Sequence, residues 1–142
     1  MKKFLLTSVV VVVLLLFVLI QLLPIGQITD NPPVVKEPQW DSPETRALVV
    51  NHCYDCHSNE TVWPWYSRIA PARWLVAIDV EEGRRELNFS DWDHYGQPLD
   101  EMLEQVQRGE MPPAKYTIIH ANAAFDETTR QIFIEALQRS FK

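Results

Sequence analysis

Five consecutive residues, Cys53-Tyr54-Asp55-Cys56-His57, carry the clearest chemistry in this chain. The pattern C-x-x-C-H is that of covalent haem c attachment. The two thiols add across the two haem vinyl groups as thioethers, and the two-residue gap matches the separation of those vinyls. His57 follows directly and is placed to bind the iron through an imidazole nitrogen as the proximal ligand. The chain has two cysteines in all, and both lie in this motif.

Three other uses of such a pair fit less well. A thioredoxin-like redox couple needs βαβ patterning around it, and no convincing strand run is present. A zinc site needs four ligands, usually as two spaced pairs, and no second pair follows. A disulfide between Cys53 and Cys56 closes a very short, strained loop and leaves His57 unexplained.

Gly109-Glu110-Met111-Pro112-Pro113 is the next informative stretch. A methionine thioether is a soft, polarizable ligand suited to haem iron. The prolines after it remove backbone donors and stiffen the loop. Met111 lies 54 residues after His57, which leaves chain enough to wrap round the haem edge. It is the expected distal ligand. His120 is its rival, while Met102 fits the apolar stripe of a helix, His52 is too near the attachment motif and His94 lies in a polar stretch. Trp63, Trp65, Tyr66 and Trp74 are candidates to pack on the porphyrin, and Arg68, Arg73, Arg84 and Arg85 to pair with its propionates. For the arginines, solvent exposure is the simpler expectation.

These residues need elements to position them, and the sequence reads as helical. Ser42 is a candidate N-cap, with Pro43 at the first helical position and Glu44 in the first turn. That helix carries Ala47, Leu48 and Val49 and delivers Cys53 near its end. Pro71 opens a second helix, with Trp74, Leu75 and Ile78 on one face. Pro98 opens a third, with Leu99, Met102, Leu103 and Val106 at i, i+3, i+4 and i+7, and Gly109 stops it. Asp126 caps a last helix with Ile132, Phe133, Ala136 and Leu137 as its buried stripe. An all-α domain around a single haem follows, over residues 42–142.

The N-terminus supplies a compartment. After Met1-Lys2-Lys3 the chain is apolar from Phe4 to Leu23, broken only by the uncharged Thr7, Ser8 and Gln21. Such a run spans about 30 Å as a helix, the hydrocarbon thickness of a bilayer. Residues 1–23 are therefore expected to form a single transmembrane anchor, with 4–23 in lipid. The lysines keep the N-terminus cytoplasmic and leave the rest of the chain outside. A cleaved signal peptide would have a shorter apolar region and a small-residue cleavage site, which Pro24-Ile25-Gly26-Gln27-Ile28 does not offer. Covalent haem attachment takes place on that outer, periplasmic side of the bacterial cytoplasmic membrane, so motif and anchor point to one compartment. Residues 24–41, with Pro24, Pro32, Pro33 and Pro38, read as an extended linker.

The charge balance is 13 basic residues against 19 acidic ones. Setting aside Lys2 and Lys3 leaves 11 against 19 outside the anchor. Such a surface excludes nucleic acid as a partner and suits a redox protein with a basic docking face.

Taken together, the attachment motif, the Gly109–Pro113 stretch and the C-terminal amphipathic helix resemble the class I monohaem c-type cytochromes. More closely, Cys56-His57-Ser58-Asn59-Glu60-Thr61, Trp63-Pro64-Trp65-Tyr66-Ser67, Glu82-Gly83-Arg84-Arg85 and Gly109-Glu110-Met111-Pro112-Pro113 resemble the bacterial haem-binding domain family, small membrane-anchored extracytoplasmic proteins. The resemblance covers roughly residues 41–140. It implies one covalent haem c on Cys53 and Cys56, with His57 as proximal and Met111 as distal ligand, in a small cytochrome c-like helical domain.

Two functions are compatible with this. Saturated His/Met coordination suits a membrane-anchored electron carrier, which is not an enzyme. A haem-based gas or redox sensor, or a ligand-binding module, would instead have a displaceable Met111. A peroxidase-like enzyme would need an open iron position and an acid–base pair.

Overall fold

The computed structural model describes residues 2–26, 30–94 and 98–141. Residues 27–29 of the expected linker, 95–97 of the expected domain, and both terminal residues lie outside the described residues. The described chain is all-helical: its only strand-like pairing is an isolated parallel bridge between Lys36 and Asp91. Two compact bodies are present, one of residues 1–30 and 63–79, the other of 31–62 and 80–142.

The first body begins with α1 (Lys2–Gln21), an uninterrupted helix with no buried residue, long and apolar enough to cross a membrane. A 3₁₀ turn at Trp65–Arg68 and the start of α4 (Ala72–Glu86) complete it. The Gln21 amide donates to the Ala70 carbonyl at 3.1 Å and accepts from the Ala70 N–H at 2.9 Å. Arg73 Nη2 donates to the Leu23 carbonyl at 2.9 Å, satisfying an oxygen left free past the helix end. Gly26, at φ +63°, lies so close to α4 that a Cβ there would sit 3.0 Å from the Ala77 Cβ and from the Arg73 carbonyl oxygen.

The second body carries α2 (Pro43–His52), the single turn α3 (Tyr54–His57), the rest of α4, α5 (Leu99–Gln107), the short α6 (Ala114–Thr117) and α7 (Glu127–Ser140). The helix signals work as expected. Ser42 accepts from the Thr45 N–H with Pro43 behind it, and Asp126 accepts from the Thr129 N–H. Gly109 takes φ +71° just past the end of α5, the left-handed conformation that glycine adopts without Cβ strain. Val49, Tyr54, Phe89, Trp92, Met102, Val106, Phe133, Ile134 and Leu137 form the core, where α2, α5 and α7 meet. The Pro-rich residues 31–40 run extended, and the Val35 and Lys36 N–H groups donate to the Ser90 carbonyl at 2.8 and 3.0 Å.

One expected stripe is turned. In α7 the buried stripe is Phe133, Ile134, Ala136 and Leu137, and Ile132 is 49% exposed. Ile132 and Ile134 flank Phe133 at equal angles, so only the positions of α2 and α5 decide which one is covered. In α4, Leu75 and Ile78 face outward and the buried residues are Ala77, Val80 and Gly83. Close backbone approach needs small residues on the packed side, and that displaces the larger apolar ones.

Several carboxylates of the second body are held charged. Thr45, then Arg139 and Ser140, lower Asp41 from 3.8 to about 2. Hydrogen bonds from Arg46 lower Glu37, and the Thr129 N–H lowers Asp126. A carboxylate whose folded pKa lies below its unfolded one stabilises the fold fully above the unfolded value and loses that contribution as pH falls through the folded one. The contribution of these carboxylates to the midpoint of chemical denaturation is therefore expected to be complete above about pH 5 and to be lost progressively between about pH 4.5 and 2. Asp41→Asn should flatten the lower part of that fall.

Candidate functional site

The attachment motif is built at a helix junction. Cys53 closes α2, its N–H donating to the Val49 carbonyl at 2.9 Å, and its own carbonyl accepts from the Cys56 and His57 N–H groups at 3.2 and 2.9 Å. That single turn brings Cys53, Cys56 and His57 together. Tyr54 points the other way, into the core, and stacks on Phe89 with centroids 5.5 Å apart. The turn is thus fastened from beneath by its first variable residue.

α4 crosses directly over it. A Cβ on Gly83 would stand 2.5 Å from the Cys56 carbonyl oxygen and 3.1 Å from the Cys56 Cβ. Only glycine permits that approach. Beyond Gly83, the Leu87 carbonyl comes within 3.1 Å of His57 Nδ1, and the Phe89 N–H donates to the His57 carbonyl at 2.8 Å. A carbonyl only accepts, so Nδ1 carries the proton and Nε2 keeps its lone pair. Burial pushes the imidazole below its ordinary pKa, against the pull of the Leu87 and Gly83 carbonyls. The ring is therefore neutral at physiological pH, the form in which imidazole binds a metal.

Cys53 and Cys56 are not joined in a disulfide. Burial, with Cys56 nearby, pushes Cys53 up to about 12. Cys53 is therefore a protonated thiol at neutral pH and not a thiolate nucleophile. Among the described residues, no group of three or more His, Cys, Asp and Glu is arranged to hold a bare metal ion.

Met111 lies on the loop between α5 and α6, with its N–H donating to the Gln105 carbonyl at 3.3 Å. A tie runs from this segment to the motif: Tyr116 of α6 donates its hydroxyl to the Asp55 carboxylate, and Asp55 is the second variable residue of C-x-x-C-H. The same segment shows uncovered apolar surface, with Met111 at 38%, Ile118 at 81% and Ile119 at 65% exposure. His120 stacks on Tyr116, centroids 4.3 Å apart, and His52 donates from Nδ1 to the Ala123 carbonyl while stacking on Phe125. Met102 is core, and His94 is exposed.

Of the arginines, Arg84 donates to the Ser58 carbonyl at 2.7 Å, to Asn31 and to Thr61, Arg85 pairs with Glu86, and Arg73 caps the end of α1. Trp63, Trp65, Tyr66 and Trp74 belong to the first body. The roles of Gly83, Leu87 and Tyr116 are not visible in the motif itself. The one signal for Gly83 was a lone glycine inside a helical stretch, a pattern that marks close packing.

Gly83→Ala sets a methyl group against backbone that cannot swing aside. It should destabilise the protein by about 1–3 kcal/mol, by analogy with overpacked cores. Gly109→Ala, with open space but positive φ, should cost about 1 kcal/mol. Urea denaturation of the two variants beside the parent checks the order.

The residues fit haem on the structure's own terms: a neutral imidazole whose Nδ1 is held by a carbonyl so that Nε2 keeps its lone pair, two thiols on the same turn that are not joined in a disulfide, and exposed apolar side chains that a large flat apolar group would cover. No curated protein and no solved structure matches the chain. The family model described as "Haem-binding domain" matches residues 15–139, nearly the whole length. The chain therefore belongs to the haem-binding domain family.

Proposed function

We propose that this protein is a membrane-anchored monohaem c-type cytochrome that carries single electrons on the outer side of the bacterial cytoplasmic membrane. The observation that carries the reading is the C-x-x-C-H turn with His57 Nδ1 committed to the Leu87 carbonyl, in a chain of the haem-binding domain family. Bound haem supplies a one-electron iron couple. Cys53 and Cys56 would hold it through thioethers, His57 through Nε2, and Met111 through its sulfur. The Leu87 carbonyl fixes the His57 ring plane and raises its basicity as a ligand. The loop from Gly109 to Pro113, held by Gln105 and tied through Tyr116 to Asp55, positions Met111. A thioether favours the reduced metal more than an imidazole does, so this pair suits a relatively high potential.

The apolar α1 supports anchoring, and Lys2 and Lys3 support an inside N-terminus. The acidic balance supports a redox partner with a basic docking face. A second reading rests on the exposure of Met111: a sulfur on a solvent-facing loop is displaceable, as a gas or redox sensor would require.

Denatured protein extracted with acidified organic solvent should keep its red colour and one haem mass. Cys53→Ala or Cys56→Ala should lower that retention, and free extraction of haem from the parent would remove the covalent claim. A reporter that works only outside the cytoplasm, fused to the C-terminus, should be active.

For the iron, oxidised protein should show the weak sulfur-to-iron band at the red end of the visible spectrum. Met111→Ala should abolish it, lower the potential and open the protein to carbon monoxide, while Met111→His should lower the potential and keep carbon monoxide out. Immediate carbon monoxide binding by the parent, unchanged in Met111→Ala, would transfer the assignment to the sensor reading.

A further inference from the structure

The first body leaves an apolar face uncovered. Trp65 is 75% exposed, Leu75 63%, Ile78 46% and Ile69 38%. Leu75 and Ile78 sit at i and i+3 on α4, so they share a side of that helix. In a water-soluble body such a cluster is costly, and it marks a surface with a partner. We propose that this face is a membrane-interface element: Trp65, Ile69, Leu75 and Ile78 lie in the headgroup–acyl boundary of the bilayer that α1 crosses. The inference rests on α1 spanning the membrane and goes beyond it, since an anchor alone needs no second contact with lipid.

Three observations select lipid as the occupant. The first is continuity. The face belongs to the same compact body as α1 and is fixed to the helix's exit end by three separate contacts. These are the paired hydrogen bonds between Gln21 and Ala70, the Arg73 cap on the Leu23 carbonyl, and Gly26 against Ala77. Gln21 is the last residue of α1, so Ala70 is held at the depth where the hydrocarbon ends. The residues on either side of Ala70 are Ile69 and Pro71, next to the exposed side chains in question.

The second is chemistry. Trp63, Trp65 and Tyr66 fall within four residues of one another. Trp and Tyr concentrate at membrane–water boundaries because each has an apolar ring and a polar tip. The third is charge. Over Trp63–Asp79, the segment of this body that carries the face, the chain has Arg68 and Arg73 against the single acid Asp79, although acids outnumber bases in the chain 19 to 13. Arg68 is exposed, where a phosphate headgroup would pair with it. A second copy of the chain, or an acid-rich soluble partner, has no comparable reason to meet the body at the point where α1 ends.

The test uses the full-length haem-loaded protein in vesicles of phosphatidylcholine with a minority of phosphatidylglycerol. The photoreactive residue p-benzoylphenylalanine is placed singly at Trp65, at Leu75, at Leu14 within α1, and at Val35, an exposed apolar position outside this body. Mass spectrometry after illumination reads phospholipid adducts. Trp65 and Leu75 should give adducts at a yield near that of Leu14 and several-fold above that of Val35. Adducts at Leu14 with yields at Trp65 and Leu75 no higher than at Val35 would overturn the interface face and leave the anchor standing. Failure at Leu14 would remove the anchor, and this inference with it. Protein dimers crosslinked through Trp65 or Leu75 in place of lipid would assign the face to a second copy and overturn the proposal. All four positions are exposed, so the variants should keep the parent's helicity by circular dichroism and its haem stain.

Discussion

The contact between Gly83 and the Cys56 carbonyl is the constraint on which the candidate site depends. A helix can approach a one-turn motif this closely only where it has no Cβ. Once that approach is made, the residues after Gly83 reach the motif in sequence. Arg84 meets the Ser58 carbonyl, the Leu87 carbonyl meets His57 Nδ1, and the Phe89 N–H meets the His57 carbonyl. The next few residues extend the same seam. Asn88 donates to Asn59, and Ser90 accepts from the Asn59 N–H. One glycine therefore sets the orientation of the imidazole and the register of everything downstream of it as far as Ser90.

The same seam explains how a small domain holds a rigid site. Tyr54, inside the motif, stacks on Phe89, Phe89 on Trp92, and Trp92 on Phe141, with centroid separations of 5.5, 5.8 and 4.8 Å. Stacked aromatic pairs contribute about 0.5–1.5 kcal/mol each beyond the area they bury. The column couples the attachment turn to the last residue of the C-terminal helix region. Movement of the turn would disturb the core, and core packing is steep in its response to displacement.

Much of this was legible in the residues. Ser42-Pro43 and Asp126 announce their helices because a cap is a local interaction, settled within three or four residues. Gly109 announces the end of α5 for the same reason. The C-x-x-C-H motif is legible because its spacing is itself the chemistry. The faces of α4 and α7 were not legible, because apolar periodicity gives an arc and not its centre. Ile132 and Ile134 are equivalent until α2 and α5 are in place. Leu75 and Ile78 look like core until Ala77 and Gly83 are seen to be the packed residues. Tyr116 was invisible for another reason: its partner Asp55 lies 61 residues away, and neither residue has a pattern of its own.

That long-range tie bears on how a weak ligand can be held. A thioether binds iron weakly, so a methionine ligand depends on the chain to supply it at high effective concentration. A loop fixed only at its start, by Gln105 and the left-handed Gly109, would leave its far end to swing. Tyr116 closes the far end onto Asp55, a residue that cannot move without moving Cys53 and Cys56. If Met111 is the distal ligand, as proposed, its segment is thereby referenced to the attachment turn itself and not to a distant part of the domain. Loss of the Tyr116 hydroxyl should leave the haem attached and the helices intact, because neither Cys nor His57 depends on it. What it should change is the competition at the sixth position. On the proposed His57/Met111 ligation, the red-end sulfur band should weaken in Tyr116→Phe, and carbon monoxide should bind faster than in the parent. A band and a binding rate equal to the parent's would show that the first half of the loop is enough to hold Met111.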